Sequence, residues 1–240
     1  MKVLYYILFL SLGGVVLAQD VNSAACKQVL IEALASYSKA PKELPSALVK
    51  SFVMTMSTEN RGKSKVQESK LEIMMGQNLF VAKNADVLSI SDSSFSFTLV
   101  KQTKTLIKSK SHFGKLTDSV ALGVSKKMLD NIQTFECSDF TQAGITYHKI
   151  TGVPTKALMD EALIDKIEYV LNHSKKEIMS STISYVPSSL VKTMSVKYSP
   201  LIMVARPGEY TEPVSSIFLT SKNALKAKYS SFQFFDNTKK

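Results

Sequence analysis

Apolar residues recur along the 240-residue chain with two different periods. In residues 23–39, Cys26, Leu30, Ala33, Leu34 and Tyr37 fall at helical spacing, with Asn22 or Ser23 placed to cap and Pro41 placed to stop, which predicts a helix. Beyond Pro45 the period drops to two. Phe52, Met54 and Met56 alternate with polar neighbours, Val53 excepted, and Asn60-Arg61-Gly62-Lys63 reads as a turn. Leu71, Ile73 and Met75 alternate next, and Gly76-Gln77-Asn78 turns the chain into Leu79–Ala82. Val87–Ser91 runs to Asp92-Ser93, Phe95, Phe97 and Leu99 alternate after it, and Lys104–Lys110 closes the series. Short strands joined by tight turns predict an antiparallel meander.

Between about 116 and 132, Val124, Met128, Leu129 and Ile132 permit a short helix. Gln133–Cys137 and Ile145–Thr151 suggest a hairpin, and Thr155 caps one or two helical turns in KALMDEALI. Strands then return: Ile167, Tyr169 and Leu171 before a turn at His173–Lys176, Met179, Ile183 and Tyr185 on one face, then Met194, Val196 and Tyr198. Pro200, Pro207, Gly208 and Pro213 make 199–216 a long irregular loop, a feature that often carries function. Tyr229–Phe235, with Phe232 and Phe234 on one side, supplies the last strand. No linker, repeat or low-complexity tract divides the chain, so one domain over 19–240 is expected.

The first 18 residues set the compartment. Met1–Ala18 has one Lys, an apolar run and small residues before Gln19, which reads as a secretory signal peptide cleaved after Ala18. A membrane anchor is the alternative, but the run from Val3 to Leu17 is shorter than the roughly 20 residues a span needs. Cys26 lies too far past that run for lipidation. The mature chain is therefore expected to be exported to the periplasm, with no stable membrane span. In that oxidising setting Cys26 and Cys137 could pair, although sequence does not show their separation.

Formal charge is +10 at pH 7, carried almost wholly by Lys, since only Arg61 and Arg206 are arginines. Nucleic-acid binders usually supply Arg for bidentate contacts, so spread lysines read as a solvated surface rather than a nucleic-acid site. Anionic lipid surfaces stay open as partners. Two cysteines exclude a disulfide scaffold, and His112, His148 and His173 share no motif, so neither metal nor cofactor is expected. There is no phosphate loop, no His-Glu-x-x-His and no nucleophile elbow. Asp160, Glu161 and Asp165 read as surface charge, and His148 as a structural strand residue. No catalytic residue emerges, and the chain is not expected to be an enzyme.

The apolar strand positions stand out by composition: Phe52, Met54, Met56, Leu71, Ile73, Met75, Phe95, Phe97, Ile167, Tyr169, Met179, Ile183, Tyr185, Met194, Val196, Phe232 and Phe234. Methionine adapts to varied apolar partners. A sheet face of this kind must be covered by helices. Complete filling makes it a core; partial filling leaves a ligand cavity lined by these residues.

Several local stretches resemble the periplasmic outer-membrane lipoprotein carrier family (LolA-like), in a divergent, Bacteroidetes-type form. Val66-Gln67-Glu68, Leu71-Glu72-Ile73 and Asn78-Leu79-Phe80 look like the strand leading into that family's Arg-Pro-x-x-Phe segment. Val87–Asp92 followed by Phe95–Leu99 looks like its Asp-Gly hairpin, and Lys101–Ile107 like the strand after it. Ile164–Ile167 through Tyr185 resembles the later hairpin, and Ile217-Phe218-Leu219 with Lys228-Tyr229 the closing strand. The resemblance implies an α+β, mainly antiparallel fold: a curved, unclosed half-barrel sheet with helices as a lid. It also implies a monomeric carrier or chaperone that shields lipoprotein acyl chains, or another lipid, and meets envelope transport proteins. Gly76-Gln77 stands where the family's latch Arg belongs, so energy-coupled lid opening does not carry over. Two rivals remain: a β-domain with a filled core that binds protein partners, and an exported hydrolase requiring His148 or His173 to meet carboxylates in a pocket.

Overall fold

The computed structural model describes residues 22–37, 44–111 and 126–239. The leader, Pro41, His112 and the segment 112–125 lie outside the described residues. Residues 22–37 form helix α1. Strands β1 (Leu48–Asn60), β2 (Gln67–Gly76), β3 (Leu79–Lys83), β4 (Val87–Ser91), β5 (Phe95–Val100) and β6 (Thr105–Lys110) follow. A one-turn helix α2 (Lys126–Asp130) precedes the hairpin β7 (Ile132–Gln142) and β8 (Ile145–Pro154). Helix α3 (Lys156–Ala162) leads into β9 (Ile164–Asn172), β10 (Glu177–Tyr185) and β11 (Val191–Tyr198). Strand β12 (Ile202–Ala205), helix α4 (Val214–Phe218) and strand β13 (Gln233–Asp236) complete the chain.

The fold is α+β. Its 13-stranded, mostly antiparallel sheet runs β13-β6-β5-β4-β3-β2-β1-β11-β10-β9-β8-β7, with β12 pairing β1 off this path. The path starts at β13 and ends at β7 without joining them, so the sheet is unclosed. Turn chemistry accounts for the hairpins. Ala143 (φ 51°) and Gly144 (φ 76°) make the two-residue, positive-φ turn that matches strand twist, and extend the predicted hairpin at both ends. Asn78 (φ 92°) turns β2 into β3, as expected for a residue that tolerates the left-handed region.

Packing resolves the chain into two compact units. The first takes in described residues of 1–36, 57–67 and 124–196, and the second those of 37–56, 68–123 and 197–240.

In the first unit, residues paired across strands share a face. Phe135, Gly152 and Ile167 make one row, Cys137, Ile150 and Tyr169 the next, and Asp139, His148 and Leu171 the third. Ile150, Ile167, Tyr169 and Leu171 are fully buried. α1 belongs to this unit from residue 22 to 36, and a Cys26–Cys137 disulfide, with 5.8 Å between α-carbons, ties it to β7. Ser23 does not cap α1, which is already helical at Asn22; its hydroxyl accepts the Phe135 N–H (2.9 Å) instead. The other face carries Thr151, Glu168 and Thr182 in one row and Lys149 with Val170 in the next, with Lys149 and Lys166 both pairing Glu168. α3 stops two residues earlier than its pattern predicts, because Leu163 takes a left-handed conformation (φ 56°) and Ile164 enters β9. Thr155 caps α3 by accepting the Leu158 N–H, and Thr155→Ala is expected to cost about 1 kcal/mol in chemical denaturation.

The second unit buries both faces of its meander, which is why Leu79-Phe80-Val81-Ala82 are all buried in succession. One face carries Met74, Val81, Ile90 and Phe97 in register. With Val49, Leu79, Leu99 and Leu106 it forms a core closed by Tyr210, Val214, Phe218 and Leu219, and Phe218 stacks on Phe97 at 4.9 Å. Gly76 sits close against this core: a β-carbon on it would stand 3.0 Å from Val49 Cγ1, so that methyl would have to give way by a few tenths of an ångström. The opposite face carries Ile73, Ala82, Ser89, Thr98 and Ile107 in register, beside Met75, Phe80, Ser91 and Ser96.

The C-terminal third departs from its predicted form. Residues 199–216 are not one irregular loop: Ile202–Ala205 pairs with β1, and α4 begins at Val214. Nor is there a closing strand at Ile217-Phe218-Leu219 or at Lys228-Tyr229. Ile217 and Phe218 are helical, Leu219 makes a lone bridge to Leu225, and Ala227–Tyr229 is a 3-10 turn. The last strand is only Gln233–Asp236, and it joins β6 in parallel. Prolines at 207 and 213 each precede a short helical turn rather than leaving slack chain.

Candidate functional site

The 17 candidate cavity residues are all buried or part-buried, but register distributes them over different faces. Phe95, Phe97, Phe232 and Phe234 belong to the core closed by α4 or pack against it. Leu71, Ile73 and Met75 lie on the opposite face of the same strands, since Ile73 aligns through Ala82 and Ser89 with Thr98, whereas Met74 aligns with Phe97. Phe52 and Met54 are buried, with Phe52 edge-on to Tyr37, which also meets Tyr198; Met56 is part-buried. Ile167, Tyr169 and Ile183 are buried on the disulfide-bearing face of the first unit. Met179 is the extra residue where register shifts between Ile178 and Ser180. Tyr185 and Met194 are part-buried and Val196 is buried. Tyr185 uses its carbonyl to accept from Arg61, whose guanidinium also reaches Val186 and Ser189 carbonyls.

Two clefts among the described residues are lined by other side chains. In the second unit a half-open cleft of about 270 Å³ sits between β4 and the segment 208–229. Leu88, Ile90, Ile217 and Tyr229 supply its apolar floor; Glu209, Glu212, Lys226 and Lys228 supply charge, two of each sign. Leu88 and Ile90 point into this region because they share the core face with Phe97 and Leu99. Val214 starts α4 with its N–H donated to Asp92 Oδ2 (2.9 Å), which fixes Ile217 over β4. Arg206 Nε donates to the Tyr210 carbonyl (2.6 Å) and holds the turn at Gly208–Tyr210. Burial, then the hydrogen-bonded Glu209, pushes the Tyr210 phenol far above its ordinary range, so it stays neutral. Lys228 Nζ stands 4.8 Å from the Tyr229 ring centre, which pins one lysine at the rim.

A second, smaller cleft of about 120 Å³ lies in the first unit, lined by Val29, His148, Leu171, Asn172, His173 and Lys176. His148 Nδ1 is hydrogen-bonded to the Asp139 carboxylate, its cross-strand neighbour. The His148 and His173 ring centres are 6.3 Å apart. None of the 17 residues lines either cleft.

Strand signals at Val87–Ser91 are visible in sequence, but nothing local marks Ile217 and Tyr229 as their partners. The two histidines share no sequence motif. Their meeting depends on β8 and β9 pairing in one particular register.

No protein-family model and no curated protein sequence matches the chain. Among solved structures it is similar to an uncharacterized conserved protein from Thermus thermophilus, at 7% identity and TM-score 0.46, covering 89% of this chain and 99% of that one. It is also similar to a domain from Vibrio parahaemolyticus described as an outer membrane lipoprotein-sorting protein, at 10% identity and TM-score 0.36, covering 78% and 94%. A chain of the Pseudomonas aeruginosa MucA/MucB complex matches at 13% identity and TM-score 0.37, covering 84% and 63%. With every one of these scores below 0.5, function rests on the residues of this chain.

Proposed function

We propose that this chain is a non-catalytic, extracytoplasmic carrier that shields an acyl chain of a lipoprotein or another lipid. The observation that carries the proposal is the cleft of the second unit, apolar along Leu88, Ile90, Ile217 and Tyr229 and charged at its rim. An amphiphile fits that division, with its chain on the floor and its polar head among the lysines and glutamates. The Cys26–Cys137 bridge supports an oxidising compartment, as the leader-like first 18 residues do. A methylene takes about the room of a water molecule, roughly 30 Å³, so the cleft holds about nine. At about 0.8 kcal/mol each, nine methylenes contribute at most about 7 kcal/mol, a Kd on the order of 10 µM. That is the affinity of an exchangeable cargo.

Titrating the purified protein with a fluorescent fatty acid is expected to show saturable one-to-one binding in that range. Ile217→Asp puts charge on the floor and is expected to weaken binding at least about tenfold, since burying an unpaired carboxylate costs more than 1.4 kcal/mol. Gly208→Leu is the fold-sparing companion, because a β-carbon there meets nothing within 4 Å. Absence of saturable binding to the unaltered protein, or equal binding by both variants, would overturn the carrier. Partner binding is then the stronger reading, favoured by Ile202 and Met203 on β12, each 53% exposed.

A further inference from the structure

We propose that His148 and His173 form a binding site for one divalent transition-metal ion of the imidazole-preferring kind, Zn²⁺ or Cu²⁺. Strands β7, β8 and β9 bring Asp139, His148 and Leu171 into one cross-strand row, and His173 follows two residues after Leu171. Asp139 accepts from His148 Nδ1. In the neutral imidazole this contact places the proton on Nδ1 and the lone pair on Nε2. Carboxylate-to-imidazole pairing of this type orients histidine ligands and raises their basicity in metal sites.

His148 Nε2 is itself buried and has no hydrogen-bond partner among the described residues. A buried ring nitrogen without a partner is uncommon and calls for a ligand. His173 stands on the adjoining turn, exposed, with its ring centre 6.3 Å from that of His148 in the same small cleft. Two imidazoles sharing a tetrahedral zinc at about 2.0–2.1 Å per bond bring their ring centres to roughly 5 Å. The exposed His173 side chain has the freedom to close that difference.

The remaining lining groups are already committed. Asn172 Oδ1 accepts from Ser174 Oγ and the Lys175 N–H, and Lys176 is drawn to Glu32 at 3.5 Å. None of the cleft's lining residues carries a hydroxyl or thiol nucleophile, so as a catalytic base the Asp139–His148 pair would act on water and not on a protein nucleophile. No group of three or more metal-binding side chains occurs among the described residues. The ion would therefore keep water in its other positions and bind more weakly than in a four-ligand structural site. This proposal stands independently of the acyl-chain reading, which concerns the other unit.

The test is calorimetric titration of the full mature chain with Zn²⁺, with electron paramagnetic resonance of the Cu²⁺-loaded protein in parallel. One equivalent is expected, with nitrogen coupling from two imidazoles. His173→Ala, on an exposed turn and expected to leave the melting temperature unchanged, is predicted to weaken binding more than tenfold and remove one coupled nitrogen, as is His148→Ala. Asp139→Asn is predicted to weaken it about 10–100-fold while both nitrogens stay coupled. No stoichiometric binding to the unaltered chain, or binding that neither histidine substitution weakens, would overturn the site.

Discussion

Replacing both Cys26 and Cys137 with Ala is expected to lower the unfolding free energy by about 4–5 kcal/mol. The bridge joins residues 111 apart in sequence, and in the chain-entropy account a closed loop of that order restricts the unfolded ensemble by about 4.7 kcal/mol. No other covalent link among the described residues shares this task. Noncovalent packing holds α1 as well, because Cys26, Leu30, Ala33, Leu34 and Tyr37 are all buried at helical spacing. The folded chain is therefore expected to persist in the double variant with a lower denaturation midpoint, not to collapse outright. Urea unfolding of the oxidised protein, the reduced protein and the double variant makes the comparison. The reduced protein and the variant should agree, and a midpoint shared by all three would contradict the expectation. Loss of α1 alone, seen as early hydrogen exchange in residues 22–37, would show the bridge acting locally.

Asp92→Ala is expected to cost about 3–5 kcal/mol, on the order of two to three charge-assisted hydrogen bonds. Asp92 is only 7% exposed. One carboxylate oxygen accepts the N–H groups of Ser94 (2.7 Å) and Phe95 (2.8 Å), which makes the turn between β4 and β5. The other accepts the buried N–H of Val214 (2.9 Å), 122 residues further on. Truncation leaves that N–H buried and unpaired at the start of α4, where a negative group is also favoured. Asp92→Asn should recover the turn bonds to Ser94 and Phe95, which share one oxygen, but not the Val214 bond, because the amide NH2 then faces that N–H. Since α4 carries Ile217, both variants should lose fatty-acid affinity along with stability. Thermal and urea unfolding read the first effect and ligand titration the second. A variant as stable as the parent would show that solvent satisfies Val214 instead.

Asp92 also shows what sequence could and could not convey. Its place in an Asp92-Ser93 turn was legible from local chemistry, because an Asp side chain bonds its own backbone two or three residues on. Its bond to Val214 was not legible, because nothing local couples positions so far apart. The same division explains the apolar strands. Alternation of Phe95 and Phe97 with Ser94, Ser96 and Thr98 suggests one wet face and one dry one. In the structure both are covered: Ser91 and Ser96 are buried and satisfy each other through a 2.7 Å hydrogen bond. Once serine is at home inside, polarity no longer reports which side faces water. Period alone therefore groups Ile73 with Phe97, although they lie on opposite sides of the sheet.

The amino-acid sequence by itself determined the order and kind of most elements: the amphipathic α1, the meander from β1 to β6, the Thr155-capped α3 and the later hairpins. These follow from side-chain period, turn residues and caps, which act within a few positions of themselves. Tertiary structure alone decided which face each strand turns to which cover, how residues 207–232 close the core, and where space is left open. It also brought Cys26 to Cys137, Asp92 to Val214 and His148 to His173. Each of those meetings depends on strand register or on segments far apart in the chain. The free energy of such contacts is settled by what packs against them, and no neighbour in sequence records it.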